Sequence, residues 1–131
     1  MASIFELEKP AFGRSSTGKA LVTAANAAVV LTAAESVGAV VVHTPTANQT
    51  VTTPIGSSII AELGSQAQVG QTFEVTVVNL GGASFTSTFT AGASGVTVTG
   101  GGIVAHGTSV TFTGRITNVT VGSESVIYYR S

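Results

Sequence analysis

One segment of the sequence comes close to a phosphate-binding motif. Gly13 and Gly18-Lys19 are spaced as in the loop that cradles phosphates, which continues with a serine or threonine whose hydroxyl holds Mg²⁺. Here Ala20 occupies that last position, and Pro10 interrupts the region in which the motif needs a buried strand. The chain also contains no aspartate to hold a metal. We therefore predict that this segment binds no nucleotide.

The two histidines, His43 and His106, are the remaining candidates for catalysis or metal binding. Because the chain has no cysteine and no aspartate, a metal site would need both histidines and a glutamate brought together by the fold. A Ser-His-Asp triad cannot be built, and a Ser-His-Glu version lacks the nucleophile-elbow pattern. The six glutamates show no spacing that pairs two of them for hydrolysis. We predict isolated, hydrogen-bonded histidines and no catalytic, cofactor-binding or metal-binding residue, and hence a protein that is not an enzyme.

The composition suits a protein whose surface is partly covered by copies of itself or by a partner. Charged residues make up 8% of the 131 residues, whereas about 25% is typical, and the formal net charge is −1. No basic stripe is present, so we expect no nucleic-acid partner. No apolar run approaches the ~20 residues of a membrane helix, so we expect no membrane partner. The first residues lack the pattern of a secretory signal, so we expect a protein that is not exported.

Residues 1–19 differ from the rest and are predicted to form an extended N-terminal arm. They hold five of the eleven charged residues, and Pro10 disfavours a helix there. Residues 4–8 alternate, so that Phe5 and Leu7 share one side of an extended strand. We predict that the arm docks on a partner; a frayed terminus or an ordinary first strand is the alternative. The partner-binding candidates are Ile4, Phe5, Leu7 and Phe12.

Residues 20–131 are predicted to form one β-rich domain organised around its last third. Val110, Phe112 and Ile116 alternate with polar residues, so they share one face of a strand. Gly114 lies on the same face, and a second strand rich in β-formers follows the turn. This segment therefore predicts a hairpin, whose apolar face the strands upstream must cover.

Short strands separated by turn residues predict an all-β fold, an antiparallel β-sandwich or jelly-roll-like domain. One short helix is predicted at about residues 57–63, with a serine cap at its start and Gly64 at its end. Thr32 and Glu35 match the capping box of a single helical turn. The strands are predicted within residues 20–31 and near 39–44, 48–53, 72–79, 85–90, 96–99, 108–117 and 124–130.

A run of three valines, Val40, Val41 and Val42, is apolar on both faces of its predicted strand. Such a run is typical of a central strand or of one buried at a subunit contact. We therefore take these three residues as candidates for an oligomer interface.

Three stretches of the domain carry a likeness to a known family. Leu31–Ser36 resembles a turn near the start of small β-rich capsid decoration (cement) and head-fibre domains of tailed bacteriophages. Val69–Asn79 and Ile116–Val126 are similar to later strands and turns of such domains. The likeness covers roughly residues 29–130 and is one of structural pattern.

The resemblance implies a β-sandwich or jelly-roll-like subunit, usually trimeric, that sits on a capsid shell and reinforces it. On that basis we expect a virion structural protein without a cofactor, a homotrimer whose other partner is the major capsid protein. Its expected location is the capsid surface, after assembly in the host cytoplasm. The alternative is a carbohydrate- or receptor-binding module of a viral fibre or adhesin. Such modules usually expose aromatic side chains on loops, whereas the aromatic residues here lie mostly within strand patterns.

Overall fold

A computed structural model describes residues 20–24 and 26–131 of the chain. These residues form one α-helix, α1 (Gly56–Leu63), and ten strands. The prediction of a β-rich chain with one short helix is confirmed for this part of the molecule. The strands are β1 (Ala20–Ala24), β2 (Val29–Val30), β3 (Ala39–His43), β4 (Gln49–Thr52), β5 (Thr72–Asn79), β6 (Ser87–Thr90), β7 (Val96–Thr99), β8 (Ile103–Val104), β9 (Ser109–Asn118) and β10 (Ser125–Arg130).

The strands of the described residues belong to two sheets. The larger has six strands in the order β1-β3-β5-β9-β10-β7, and the smaller has four in the order β2-β4-β6-β8. From β1 to β9 the chain changes sheet after every strand, and α1 lies on the passage from β4 to β5. Only β9 and β10, the predicted hairpin, follow each other within one sheet.

The prediction of mostly antiparallel pairing is wrong, because both sheets are mixed. Within the described residues five of the eight strand pairings are parallel, including β1 with β3 and β3 with β5. Parallel neighbours need a connection that returns the chain to the same end of the sheet. Here a strand of the other sheet usually supplies that return. Parallel pairing is therefore a consequence of the alternating path.

Of the two helix caps predicted from the sequence, the capping box at Thr32 is present and the serine cap of α1 is not. The Thr32 N–H donates to Glu35 Oε1 at 2.8 Å, and the Glu35 N–H donates to Thr32 Oγ1 at 3.2 Å, which confirms the capping box. The predicted serine cap of α1 is wrong: the helix starts after Ile55, and no side chain caps it. Its C-terminal end is as predicted, at Gly64, whose φ of 65° favours glycine.

Three aromatic rings join the two sheets. Phe89 of β6 stacks on Phe112 of β9 with ring centroids 4.4 Å apart, and Tyr128 of β10 meets Phe89 edge-on at 5.1 Å. Since β6 belongs to the smaller sheet and β9 and β10 to the larger, these contacts hold the sheets together. The other buried apolar residues around them are Leu31, Ala39, Val41, Val51, Ile59, Val75, Val77, Val104, Ile116 and Val126.

Tyr128 also uses its hydroxyl group. The hydroxyl donates a hydrogen bond to the carbonyl oxygen of Ser36, which lies in the 3-10 turn Glu35–Val37. Burial raises the pKa of Tyr128 well above its usual range, so the group remains a donor at every ordinary pH. One side chain thus fills the core and fixes the turn between β2 and β3.

Gly114 makes room for two aromatic rings in the middle of the larger sheet. It pairs with Phe73 of β5 on one side and with Tyr128 of β10 on the other. The two rings meet edge to face with centroids 5.8 Å apart. A Cβ atom on Gly114 would lie 2.3 Å from Phe73 Cε1 and 2.9 Å from Tyr128 Cε1. The missing side chain is therefore a packing requirement.

We expect Gly114→Ala to lower the free energy of unfolding by about 1–3 kcal/mol, the usual effect of overpacking, and Gly114→Val to lower it further. Gly82→Ala is the matched control, because a Cβ there meets nothing within 4 Å and the φ of Gly82 is not positive. Urea unfolding monitored by circular dichroism measures both. Equal unfolding midpoints for Gly114→Ala and Gly82→Ala would contradict the packing role.

Candidate functional site

His43 and Ser87 form a buried pair between the sheets. His43 Nδ1 and Ser87 Oγ are 2.8 Å apart, and His43 Nε2 lies 2.8 Å from the carbonyl oxygen of Ala27. A carbonyl oxygen only accepts, so Nε2 carries the proton and Nδ1 is the acceptor for the Ser87 hydroxyl. The pair therefore has the donor-to-imidazole arrangement by which a histidine activates a serine.

Burial shows that this pair has a different role. Both side chains are fully buried, so Ser87 is not presented to a substrate. The second ring nitrogen of His43 contacts a backbone carbonyl, where a triad would have a carboxylate. His43 lies on β3 of the larger sheet, Ser87 on β6 of the smaller, and Ala27 between β1 and β2. The three groups tie together two sheets and a connection.

Asn79 of β5 makes a second set of buried hydrogen bonds nearby. It is the residue that pairs in register with His43 on the neighbouring strand β3. Its Nδ2 donates to the carbonyl oxygens of Phe85 and Val104, each at 2.9 Å, and its Oδ1 accepts from the Gly81 N–H at 2.8 Å. Every hydrogen-bonding group of the Asn79 amide is thus used inside the protein, apart from the second lone pair of Oδ1.

His106 bonds through Nδ1 to the carbonyl oxygen of Gly81, next to this link. The prediction of singly placed, hydrogen-bonded histidines is confirmed for both His43 and His106. Within the described residues, no three histidine or glutamate side chains are grouped so that they could hold a metal ion.

The surface offers a different kind of site, an apolar patch on the outer side of the larger sheet. Leu21 is in register with Val40, and Val42 is in register with Val78. Val41 and Val77 point into the core, so their strand neighbours Val40, Val42 and Val78 point outward. Leu21 points the same way because it is in register with Val40. Leu21 is 70% exposed, and the three valines are half-buried. We call Leu21, Val40, Val42 and Val78 the β1 face.

No charged residue interrupts the β1 face. By register, Thr76 and Thr111 continue the row of Leu21 and Val40 towards β9, and Ser109 continues the row of Val42 and Val78. Thr23 of β1 completes this second row at the sheet edge. The nearest acidic residue on this side of β5 is Glu74, one row further along the strand. Contiguous apolar surface of this kind marks interaction sites in soluble proteins.

The β1 face ends at an open strand edge. β1 pairs with β3 on one side, and no other strand of the described residues pairs with its second side, which we call the β1 edge. Proteins usually protect edges by short strands, charges, proline or bulges. β1 is five residues long, Ala-Leu-Val-Thr-Ala, and has neither charge nor proline. The edge strands of the smaller sheet, β2 and β8, are only two residues each.

The structure divides the residues proposed for an oligomer contact. Val40 and Val42 lie on the β1 face, whereas Val41 is fully buried in the core and cannot contact a second copy. The arm candidates Ile4, Phe5, Leu7 and Phe12 lie outside the described residues. Leu21 and Val78 were not predicted, because their places on this face depend on the pairing of β1 with β3 and of β3 with β5.

The described surface also has two open depressions of a size that could take a small molecule. One is bounded by residues 66–71 and rich in glutamine, and the other lies between Ser57 and the β9–β10 turn with Glu124. Both are open to solvent. Ligand pockets are usually concave and apolar with converging polar groups. The β1 face and the β1 edge are therefore the better candidates for function.

Comparison with known proteins adds no relative: the chain matches no protein-family model, no curated protein and no solved structure. None of the helices in the part of the chain that the structure describes has the length and apolar character that crossing a bilayer requires.

Proposed function

We propose that the chain is a non-enzymatic virion structural protein, a capsid decoration or cement subunit that binds the shell as a homotrimer. The observation that carries this proposal is the uncharged β1 face beside a strand edge that no other described strand covers. We further propose that the two sheets are a variant of the β-sandwich or jelly-roll-like subunit that the sequence resemblance implies. Its location is the capsid surface, reached by assembly in the host cytoplasm.

Self-association is the use of the β1 face that best fits its chemistry. Val40, Val42 and Val78 are β-branched side chains on the outer side of the larger sheet, and the residues beside them in register carry hydroxyl groups and no charge. Three such faces can meet around a threefold axis without separating a charge from water, which would cost several kcal/mol per ion. Mass action then favours the assembled state as protein concentration rises.

Shell binding is assigned to the arm, residues 1–19, through Ile4, Phe5, Leu7 and Phe12. An extended segment can add a strand to a sheet edge of the major capsid protein, and side-chain pockets then supply specificity. Three arms on one trimer act together, so that avidity exceeds the affinity of one arm. A trimer that loses its own contact should therefore lose shell binding as well.

The carbohydrate- or receptor-binding alternative has weaker support. Sugar stacking needs an exposed ring, and Phe73, Phe89, Phe112 and Tyr128 are packed against one another. Among the aromatic residues that the structure describes, Tyr129 is the exposed one, on the outer side of β10.

The test is co-sedimentation with shells of the major capsid protein from the virus that encodes the chain. We expect the wild-type protein to be a trimer by light scattering at micromolar concentration and to sediment with shells. Val42→Glu places a charge on the β1 face, so we expect monomers and at least about tenfold weaker shell binding, through lost avidity. Thr50→Glu is the matched control, since Thr50 is exposed on the smaller sheet, and should change neither property.

The two readouts separate the parts of the proposal. Wild-type protein that stays in the supernatant at saturating concentration contradicts the decoration role. A wild-type monomer that still saturates shells contradicts the trimer. Equal behaviour of Val42→Glu and Thr50→Glu contradicts the assignment of the β1 face.

A further inference from the structure

We propose that the folded domain itself contacts the shell, through the loops at one end of the larger sheet. This surface, which we call the loop end, consists of residues 64–71, residues 91–95 and the β9–β10 turn, residues 119–124. Its partner is an apolar hollow on the surface of the major capsid protein. The identity of this partner rests on the proposed function, whereas the surface follows from the described residues.

The strand pairings place the three loops at the same end of the larger sheet. β5 begins at Thr72, which is in register with Arg115 near the end of the antiparallel strand β9. β10 starts where β9 ends, and β7 runs parallel to β10 with its first residue, Val96, beside Val126. The segments before β5 and β7 and the turn between β9 and β10 are therefore neighbours.

Backbone hydrogen bonds hold these loops in place. The Gly70 N–H donates to the carbonyl oxygen of Ile116 at 2.9 Å, which ties the first loop to the end of β9. The Val126 N–H donates to the carbonyl oxygen of Gly95 at 2.9 Å, which ties the second loop to the start of β10. The second loop and the β9–β10 turn also border one depression. The loop end is therefore one continuous surface.

This surface carries three exposed valines. Val121 is 91% exposed, the largest value among the large apolar residues that the structure describes, and Val69 is 57% exposed. Val119 is also exposed, in the same turn as Val121. Burying an aliphatic side chain is favourable, and apolar side chains that are grouped on a surface mark an interaction site. The three valines therefore fit an apolar hollow on a partner.

The β9–β10 turn presents Val121 on a preformed support. The Thr120 N–H donates to Asn118 Oδ1 at 2.8 Å, and the Ser123 N–H donates to the carbonyl oxygen of Thr120, also at 2.8 Å. These bonds enclose Val121 in a short hydrogen-bonded turn. Because a preformed loop has little conformational freedom to lose on binding, most of the gain from burying Val121 is kept.

The chain enters the domain from the same end. β1, β3 and β5 run parallel, so Ala20, the first residue of β1, lies toward the end at which β5 begins. The arm, residues 1–19, precedes Ala20 in the sequence. A domain anchored through the arm therefore turns the loop end toward the shell. Cyclic symmetry places the three loop ends of a trimer at one height along its axis, so they can bind together.

The opposite end of the larger sheet supplies a matched control residue, Leu80. Leu80 follows the last residue of β5, roughly 23 Å from the first at about 3.3 Å per residue. It is 57% exposed, the same fraction as Val69, and its N–H donates to the carbonyl oxygen of His43. A shell contact through the loop end leaves Leu80 in solvent.

The first test is co-sedimentation with shells of the major capsid protein. Val121→Glu places a charge in the apolar contact, so we expect shell binding at least about tenfold weaker than wild type, with the trimer retained by light scattering. Val69→Glu should weaken binding in the same direction, and Leu80→Glu should bind as wild type does. Circular dichroism verifies that the variants fold, as expected because all three side chains are exposed.

The second test maps the covered surface without adding a charge. The chain has no cysteine, so one introduced thiol is unique in it. The thiol of Val121→Cys should react with a maleimide about tenfold more slowly once about nine molecules in ten are bound to shells, since labelling follows the free fraction. The thiol of Leu80→Cys should react equally fast in both states. The mass of the labelled chain gives the extent of reaction.

The outcomes separate this inference from the proposed function. Wild-type protein that does not sediment with shells contradicts the decoration role itself. Wild-type binding with equal binding of Val121→Glu and Leu80→Glu contradicts the loop end alone. Protection of Leu80→Cys in place of Val121→Cys shows that the domain is turned the other way. A Val121→Cys thiol that is already protected in free protein, or a trimer that Val121→Glu dissociates, shows that a second copy covers the loop end.

Discussion

Replacing Phe112 by alanine is expected to lower the free energy of unfolding by about 3–5 kcal/mol, the usual effect of deleting a buried phenylalanine ring. Phe112 is fully buried and stacks on Phe89 with centroids 4.4 Å apart and planes at 20°. Since these rings belong to different sheets, the substitution leaves a cavity in the contact that joins them. The loss is a large share of a typical stability of about 5–15 kcal/mol.

Thermal unfolding measures this loss. For a chain of this size we expect the melting temperature of Phe112→Ala to fall by roughly 10–20 °C. Thr113→Ala is the control from the next position, on the outer side of the same strand, and should remain within a few degrees of wild type. Phe112→Leu should fall between the two. A Phe112→Ala protein that melts within a degree or two of wild type would mean that the stacked rings are not what joins the sheets.

The burial of Phe112 shows which part of the fold the sequence can determine. Alternation assigns each residue of a strand to one of two faces, because successive side chains point in opposite directions. The inward face of β9 was therefore predicted correctly, with Phe112 and Ile116 in the core. The capping box at Thr32 and Glu35 could also be predicted from the sequence, since its two residues are only three positions apart.

The pairing of the strands, and whether they run parallel or antiparallel, could not be predicted from the sequence in the same way. The period of a strand is the same in parallel and antiparallel sheets, so alternation carries no information on direction. Short strands with turn residues between them favoured a hairpin-rich, antiparallel interpretation. The actual path changes sheet after every strand up to β9, and the pairings that result join segments far apart in the sequence, such as β3 and β5.

The β1 face was predicted only in part, again because strand pairing decides which residues belong to it. The run Val40–Val42 is apolar on both faces, which indicated a strand with two covered sides without telling which valine meets the core. The register with β5 decides this: Val41 pairs with the buried Val77, and Val42 pairs with the outward Val78. Leu21 joins the face only because β1 lies beside β3, a contact that local patterns do not contain.

The second large effect is expected at His43, which local patterns could not connect to its partner. His43→Ala should lower the free energy of unfolding by about 3–5 kcal/mol. The substitution leaves the buried Ser87 hydroxyl without a hydrogen-bond partner, which costs about 1–3 kcal/mol, and removes a fully buried ring that also holds the Ala27 carbonyl. His106→Ala is the matched control: this histidine is exposed, so its loss should stay below about 1 kcal/mol.

A double-mutant cycle identifies the hydrogen bond as the cause. Ser87→Ala alone should lose about 1–3 kcal/mol, because it leaves His43 Nδ1 unpaired in the core. The double variant should lose less free energy of unfolding than the sum of the two single losses. The reason is that the Ser87 hydroxyl, which His43→Ala leaves unpaired, is absent from the double variant. A coupling of about 0.5–3 kcal/mol is usual for residues in contact. Additive losses, or a His43→Ala protein as stable as His106→Ala, would show that the two sheets are held together without this pair.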